Sequence, residues 1–482
     1  MSLAYMAITL DISGVLQAAA FWVSNQGGNN TRRLFFYFYV LLTIISMVVG
    51  NDPVILSGTA FLVYYTSATG LEPMAWLIAE FAAANTASMV LFVGNPTNVV
   101  ICEGFQVNNA AFTAYTILPF IACSLACYAG LAFQFRNPKY VPPTFVVKGK
   151  LNPRDALHDP VGAIFGGILL LICLTLAIVL SFFHVDVWEI MLPFAVTKFI
   201  FDLCWDHYRF IKGRLDSPKT EISELPEEDK VFTQLKRALS MPSDIENILA
   251  SGAASRSQEI IAGSKRTNSV PVASTRLNHD ILRDLERPAD AKAEPRLFAT
   301  QRDKFDSIYT SLAAHFPTFF TALPRLPFAL VPFAFSQFIL IEGLSHQGWI
   351  NIFGAWLVKA TNREVIPTIW IVGVLGVILC NVAGTNIGAT ILLTKVVHAA
   401  PDFPGSSTRA AAIALAVASN IGAVSFTFSA SLAGLLWKSI TRQKGIDIKQ
   451  STFAIWNCLP LLMMTSVGLA IVTAEMSVLY KI

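Results

Sequence analysis

Charge is scarce in this chain of 482 residues: Asp, Glu, Lys and Arg make up only 14% of it, as 35 basic and 32 acidic side chains, beside seven histidines and seven cysteines. That scarcity excludes several classes of protein. A net charge of +3, with the basic residues in connecting segments, leaves no footprint for nucleic acid. There is no H-E-x-x-H pair, no Walker motif and no Ser-His-acid set, so no enzyme chemistry, cofactor or metal is expected, and any ATP drive would need a separate subunit. The cysteines (Cys102, Cys123, Cys127, Cys173, Cys204, Cys380, Cys458) fall mostly in apolar stretches and read as small core hydrophobes. The opening stretch LAYMAITLDISG lacks the basic start and small-residue end of a cleavable signal.

What abounds is hydrocarbon. Hydrophobic residues make up 54% of the chain, mean hydropathy is +0.55, and apolar runs of about 20 residues recur along it, too many for one soluble core to hide. The expected fold is all-α, a polytopic membrane protein. Apolar segments lie at 2–24, 33–66, 73–103, 110–136, 160–184, 187–204, 316–343, 348–360, 366–398, 408–437 and 452–479. The short segment 348–360, rich in Trp and Phe, is expected to lie in the interface. From 205 to 315 the character changes to Ser, Pro and charge, with 17 Lys or Arg against 17 Asp or Glu. The chain therefore divides into a first membrane repeat with its following spans (1–204), a largely disordered loop (205–315) and a second membrane repeat (316–482).

Several apolar segments are interrupted by polar residues that break helices: GNDP at 50–53, AANTAS at 83–88 followed by GNPTN at 94–98, CNVAGTN at 380–386 and ASNIG at 418–422. Asparagines at such places are costly in hydrocarbon unless they find partners. The breaks also recur. Sliding the chain by 335 residues sets Asn51 on Asn386 and Asn85 on Asn420, and SGVLQAAAFWV (13–23) finds a counterpart in QGWINIFGAWL (347–357). Matched breaks in two halves point to a solute site near the bilayer midplane, lined by half-helix ends and unwound backbone. Asp52 is the only carboxylate within a break. A carboxylate in low-dielectric surroundings can take and release a proton, which makes it a coupling candidate, with Glu80 as a second. Asp11, Glu189 and Glu342 lie near span ends and are expected at the interface.

At these motifs the chain resembles the arsenical pump membrane protein family. That family lies within the ion transporter superfamily, with its citrate transporter-like domain, which also holds sodium/proton antiporters, sodium/dicarboxylate symporters and plant silicon efflux transporters. The similarity runs through LDISGVLQAAAFWV, GNDPVILSGTAFL, AANTASMVLFVGNPTNVVI and ASNIGAVSFTFSASLAGLLWKSITRQKGIDI (419–448 from its Ser), and covers both membrane halves but not the central loop. The resemblance implies two inverted repeats with re-entrant hairpins and discontinuous helices. It places Asn51 and Asp52 at the first hairpin tip and Thr385 and Asn386 at the second. Asn85, Thr86, Gly94, Asn95, Pro96, Thr97 and Asn98 would form the first broken helix, and Ser419, Asn420, Ser429 and Ser431 the second. Two departures stand out: Asn85 replaces an acid in a family motif that reads ADTAS, and Asn420 replaces a further one. Both changes keep an acceptor and remove a titratable group, so proton coupling falls to Asp52 and Glu80. The chain also opens where the family has already crossed the membrane, so N-terminal spans are expected to be missing.

The resemblance and the polar, nearly uncharged breaks imply a secondary transporter of a small inorganic solute or anion, with efflux of arsenite, antimonite or a similar hydroxide coupled to a proton or sodium gradient as the first reading. A sodium-coupled di- or tricarboxylate symporter is the alternative, and a non-transporting receptor or regulator the second alternative. The expected partners are the solute, the coupling ion and the lipid bilayer, with a homodimer left open. The expected location is the plasma membrane, with the vacuolar membrane as the other choice. The loop 205–315 is expected to be cytoplasmic, because Arg209, Lys212, Arg214, Arg296, Arg302 and Lys304 crowd its edges and the shorter loop 137–159, two spans earlier, is also basic. KRALS and KRTNS put Ser240 and Ser269 in the setting of basophilic kinase sites.

Overall fold

Several helices in this protein begin at a polar residue whose side chain caps the first turn, and several junctions turn on glycine. The structure, a computed structural model, describes residues 1–28, 30–144, 152–183, 185–213, 308–328 and 330–481. Most of the expected central loop, with Ser240 and Ser269, lies outside the described residues. Among those described the chain is helical throughout, with no named strand and one isolated bridge between Asn30 and Thr144.

The first helices are α1 (Ser2–Ile12), α2 (Val15–Gly27), α3 (Thr31–Val49), α4 (Asn51–Thr69), α5 (Pro73–Ala87), α6 (Pro96–Phe105) and α7 (Asn109–Gln134). A short α8 (Pro153–Ala156) leads to α9 (Pro160–Leu180), α10 (Val187–Ile211) and α11 (Pro317–Ala322). Then come α12 (Leu330–His346), α13 (Trp349–Thr361), α14 (Val365–Val382), α15 (Asn386–His398), α16 (Gly405–Gly422), α17 (Leu432–Gln443) and α18 (Gln450–Tyr480). Asn30, Asn108 and Thr385 start α3, α7 and α15 by accepting backbone N–H bonds at 3.0, 2.7 and 3.2 Å. Among the described residues six helical stretches are long and apolar enough to cross a membrane, and seven if α1 and α2, bent by 52°, form one span.

The element order α1–α7 recurs as α12–α18. The α1–α2 and α12–α13 junctions both turn on a positive-φ glycine, Gly14 (φ 90°) and Gly348 (φ 79°). Both α3–α4 and α14–α15 turn on another, Gly50 (φ 88°) and Gly384 (φ 85°), a conformation that would strain any other residue. Both broken helices pass through a 3₁₀ turn, Phe92–Gly94 and Phe428–Ala430, and restart from extended caps, Asn95 (φ −147°, ψ 140°) and Ser431 (φ −149°, ψ 156°). The halves also interlock: α4 packs on α17, and α15 packs on α6.

Aromatic packing fixes the first half. Phe38 lies 5.5 Å from Tyr65 and 5.8 Å from Trp76, joining α3, α4 and α5. Phe81, Trp437 and Phe453 tie α5 to α17 and α18. The long helices α7 and α18 approach closely at Gly468, where a Cβ would fall 2.7 Å from Cys123 Sγ. Around this interior, Leu118, Ile121 and Leu125 of α7 and Ile164, Ile168 and Leu171 of α9 are exposed, the lipid-facing surface of an integral membrane protein. The cysteines are free and, Cys204 excepted, buried or half-buried.

Candidate functional site

The first break interrupts the helix after Ala87, where carbonyls lose their helical partners, and the chain answers with an amide. Asn98, on the first turn of α6, donates through Nδ2 to the carbonyl oxygens of Ser88 and Leu91, both at 2.8 Å. Asn95 caps the same turn by accepting from the N–H of Thr97 at 3.2 Å. Pro96, at the start of α6, gives up no hydrogen bond there because that N–H has no helical partner anyway. Gly94 carries no side chain because a Cβ would run into the Ser88 carbonyl.

Asn420 of the second half completes this arrangement. Its Oδ1 accepts from Ser88 Oγ at 2.8 Å and from Asn95 Nδ2 at 3.1 Å, and its Nδ2 donates to Asn98 Oδ1 at 2.7 Å and to the Ala416 carbonyl at 2.9 Å. Beside it, Ser419 Oγ reaches Thr97 Oγ1 at 3.4 Å. The two halves thus share one buried, uncharged cluster. At the hairpin tips, Asn51 Nδ2 donates to Asn85 Oδ1 at 3.1 Å and Asn386 Nδ2 to the Ser419 carbonyl at 3.4 Å. Both asparagines are buried, yet among the described residues neither side-chain oxygen accepts a hydrogen bond.

Other expected site residues stand apart. Thr86 turns to the Ala82 carbonyl and Met464 Sδ. Thr385 and Ser431 act as helix caps, Ser431 accepting from the Gly434 N–H at 3.0 Å. Ser429 is exposed and touches only Thr427 Oγ1, at 3.3 Å. Asp52, half-buried in the first turn of α4, has no hydrogen-bond or ion-pair partner among the described residues. Glu80 is fully buried and receives Thr59 Oγ1 at 3.1 and 3.0 Å, in a space that Gly58 leaves open.

Three features escaped the sequence. Ser88 belongs to the cluster, and its signal was its spacing: residues three apart share a helix face, so Asn85 pointed to Ser88 and not to Thr86. Asn381 supports the second break, its Oδ1 accepting from the N–H groups of Phe426 and Thr427 at 3.2 and 3.1 Å and from Thr427 Oγ1 at 3.0 Å. The third is a charged clasp. Lys198 pairs with Asp202, which also receives Tyr5 OH at 2.9 Å. Asp206 accepts from the Thr318 N–H at 2.8 Å, so α10 is tied to both α1 and α11. Separately, Asp11 is buried, takes Ser57 Oγ at 2.7 Å and lies 3.6 Å from Arg325. Glu189 and Glu342 are exposed, as expected for span ends, and Glu342 pairs with Lys395 at 2.8 Å.

A repeated set of hairpins and broken helices, meeting at an uncharged cluster inside an apolar helical body, defines a polytopic membrane protein. Residues 1–206 match the family described as Citrate transporter. The chain is 27% identical over 172 residues to the arsenical pump membrane protein of Escherichia coli, and 28% identical over 174 residues to that of Yersinia enterocolitica. Each match covers 35% of this chain and 40% of the relative's length. Over these matched stretches the chain is similar to the citrate transporter family and to the arsenical pump membrane proteins.

Proposed function

We propose that the protein is a secondary transporter that exports arsenous acid, its antimony analogue or a similar small hydroxide across the plasma membrane, driven by a proton or sodium gradient. The observation that carries this reading is the pair Asn51 and Asn386. Each uses its side-chain nitrogen on the broken helix of its own repeat and leaves its oxygen without a donor. An undissociated hydroxide offers O–H donors and no charge, which suits two unpaired amide oxygens beside a cluster free of ion pairs. The recurring element order supports two repeats, and we read them as inverted across the membrane, with the central loop on the cytoplasmic side. Asp52, beside Asn51 and without a partner, is the coupling acid of this scheme, and Glu80 is held in reserve by Thr59.

A second reading has its own support: the Citrate transporter match, together with the affinity of carbonyl oxygens for sodium, favours a sodium-coupled carboxylate symporter. Everted vesicles carrying the protein, given imposed proton or sodium gradients, separate the two. Accumulation of arsenous acid on a proton gradient supports the first reading. Sodium-dependent uptake of a dicarboxylate, with no movement of hydroxides, replaces it with the second.

A further inference from the structure

Each hairpin helix packs on the broken helix of its own repeat, and the two halves make that contact from different materials. In the first half Thr59 of α4 donates its hydroxyl to both carboxyl oxygens of Glu80 of α5, at 3.1 and 3.0 Å, and both residues are fully buried. The carboxyl fits because residue 58 is glycine: a Cβ there would fall 2.6 Å from Glu80 Oε1 and 3.6 Å from Leu42 Cδ2 of α3. In the second half the matched residues are Leu393 for Gly58, Thr394 for Thr59 and Leu415 for Glu80. Counting back from the turn glycines Gly50 and Gly384, Leu42 of α3 answers to Gly376 of α14. A Cβ on Gly376 would fall 3.4 Å from Leu415 Cδ1 and 3.8 Å from Leu393 Cδ1, so two leucines against a glycine close the same junction. The Thr394 hydroxyl, buried beside them, has no partner among the described residues.

The two contacts differ in what they lose on opening. Drawing α4 from α5 leaves a buried carboxyl without its donor, which lowers the open population by roughly tenfold or more. Ser57, two residues earlier and so on nearly the opposite side of α4, adds a second tie by donating to Asp11 of α1 at 2.7 Å. Drawing α15 from α16 separates leucine from leucine. That contact is non-directional, and the Thr394 hydroxyl has no bond to lose, so the side chains can slide and repack without stranding a polar group. Leu392 stands where Ser57 would, and the bridge from Lys395 to Glu342 of α12 is half-exposed and adds little. The tips do not decide the matter, since each makes one amide bond to its broken helix, 3.1 Å at Asn51 and 3.4 Å at Asn386. We infer that Glu80 is a positioning residue, which through Thr59 locks α4 and the tip residues Asn51 and Asp52 onto α5, and that α15, which lacks the lock, is the hairpin helix that opens to admit solute at Asn386. Coupling then falls to Asp52 alone.

The inference rests on the proposed transport, and the experiment keeps the two apart. Amide hydrogen exchange is followed in the intact protein in lipid nanodiscs, alone, with arsenous acid, and with sodium and succinate. Without solute, the amides of α15 should exchange roughly tenfold or more faster than those of α4, and the transported solute should slow α15 while leaving α4 unchanged. Glu80→Leu, which installs the residue of the second half, should bring α4 to within about threefold of α15. Glu80→Gln keeps an acceptor for Thr59 but cannot titrate, so it should leave α4 slow and gradient-driven accumulation intact. Thr59→Val keeps the shape and removes the donor, and should loosen α4 as Glu80→Leu does, so the lock is tested even where the leucine variant does not fold. Equal exchange in the two hairpin helices of the unaltered protein, exchange in α15 that neither solute slows, or an unmoved α4 in Thr59→Val overturns the inference. So does loss of accumulation in Glu80→Gln, which would make Glu80 a coupling acid. Slowing of α15 by sodium and succinate but not by arsenous acid leaves the opening hairpin standing and topples the proposed function.

Discussion

The two broken helices are built on one plan and stabilised in opposite ways. In the first, freed carbonyls are met by a donor, the amide nitrogen of Asn98; in the second, freed N–H groups are met by an acceptor, the amide oxygen of Asn381. The first break also reaches across to Asn420 through Ser88, Asn95 and Asn98, whereas the positions matching Asn95 and Asn98 in the second half are Ser431 and Gly434, which cannot reach Asn85 in return. Duplicated backbone geometry has therefore come to hold unequal chemistry. Asn420 is saturated with bonds and fixes the halves together, while Asn51 and Asn386 keep an acceptor each. The acids Asp52 and Glu80 occur in the first half alone, facing Ile387 and Leu415 at the matched positions.

The largest expected effect is at Asn420. Asn420→Ala removes four hydrogen bonds and strands the buried amides of Asn95 and Asn98, so it should lower stability by about 2–4 kcal/mol and silence transport. Asn85→Ala, at the matched position, loses two bonds and should cost about 1–2 kcal/mol. Thermal unfolding in detergent measures both, and equal costs would erase the asymmetry between the halves. Next comes Asp52→Asn, which should abolish accumulation of solute against its gradient under an imposed pH difference while passive exchange continues. Retained pH-driven accumulation in the same vesicles would show that Asp52 plays no part in coupling. The smallest effect is Ser429→Ala: exposed and outside the cluster, Ser429 should leave flux within about twofold of the unaltered rate.

The breaks and hairpin tips were legible in the sequence because Gly, Pro and Asn have few other reasons to sit inside apolar spans, and their spacing repeated. What the breaks do with their side chains was not legible. The 3₁₀ turn Phe428–Ala430 carries Ser429 to the surface, and helical rotation turns Thr86 away from Asn85 while bringing Ser88 round to join it. The clasp was hidden for another reason. Lys198 and Asp202, four residues apart, announce a pair, but Tyr5 and Thr318 reach the clasp from more than a hundred residues away, and only the folded chain brings them in.

In the proposed scheme the two hairpin-tip asparagines both contact the transported species or its coupling ion. Asn51→Ala and Asn386→Ala, assayed side by side for solute flux in everted vesicles at matched protein levels, test it most directly. Both variants should reach the membrane and both should be silent. Full activity in both would remove the site between the repeats from the account.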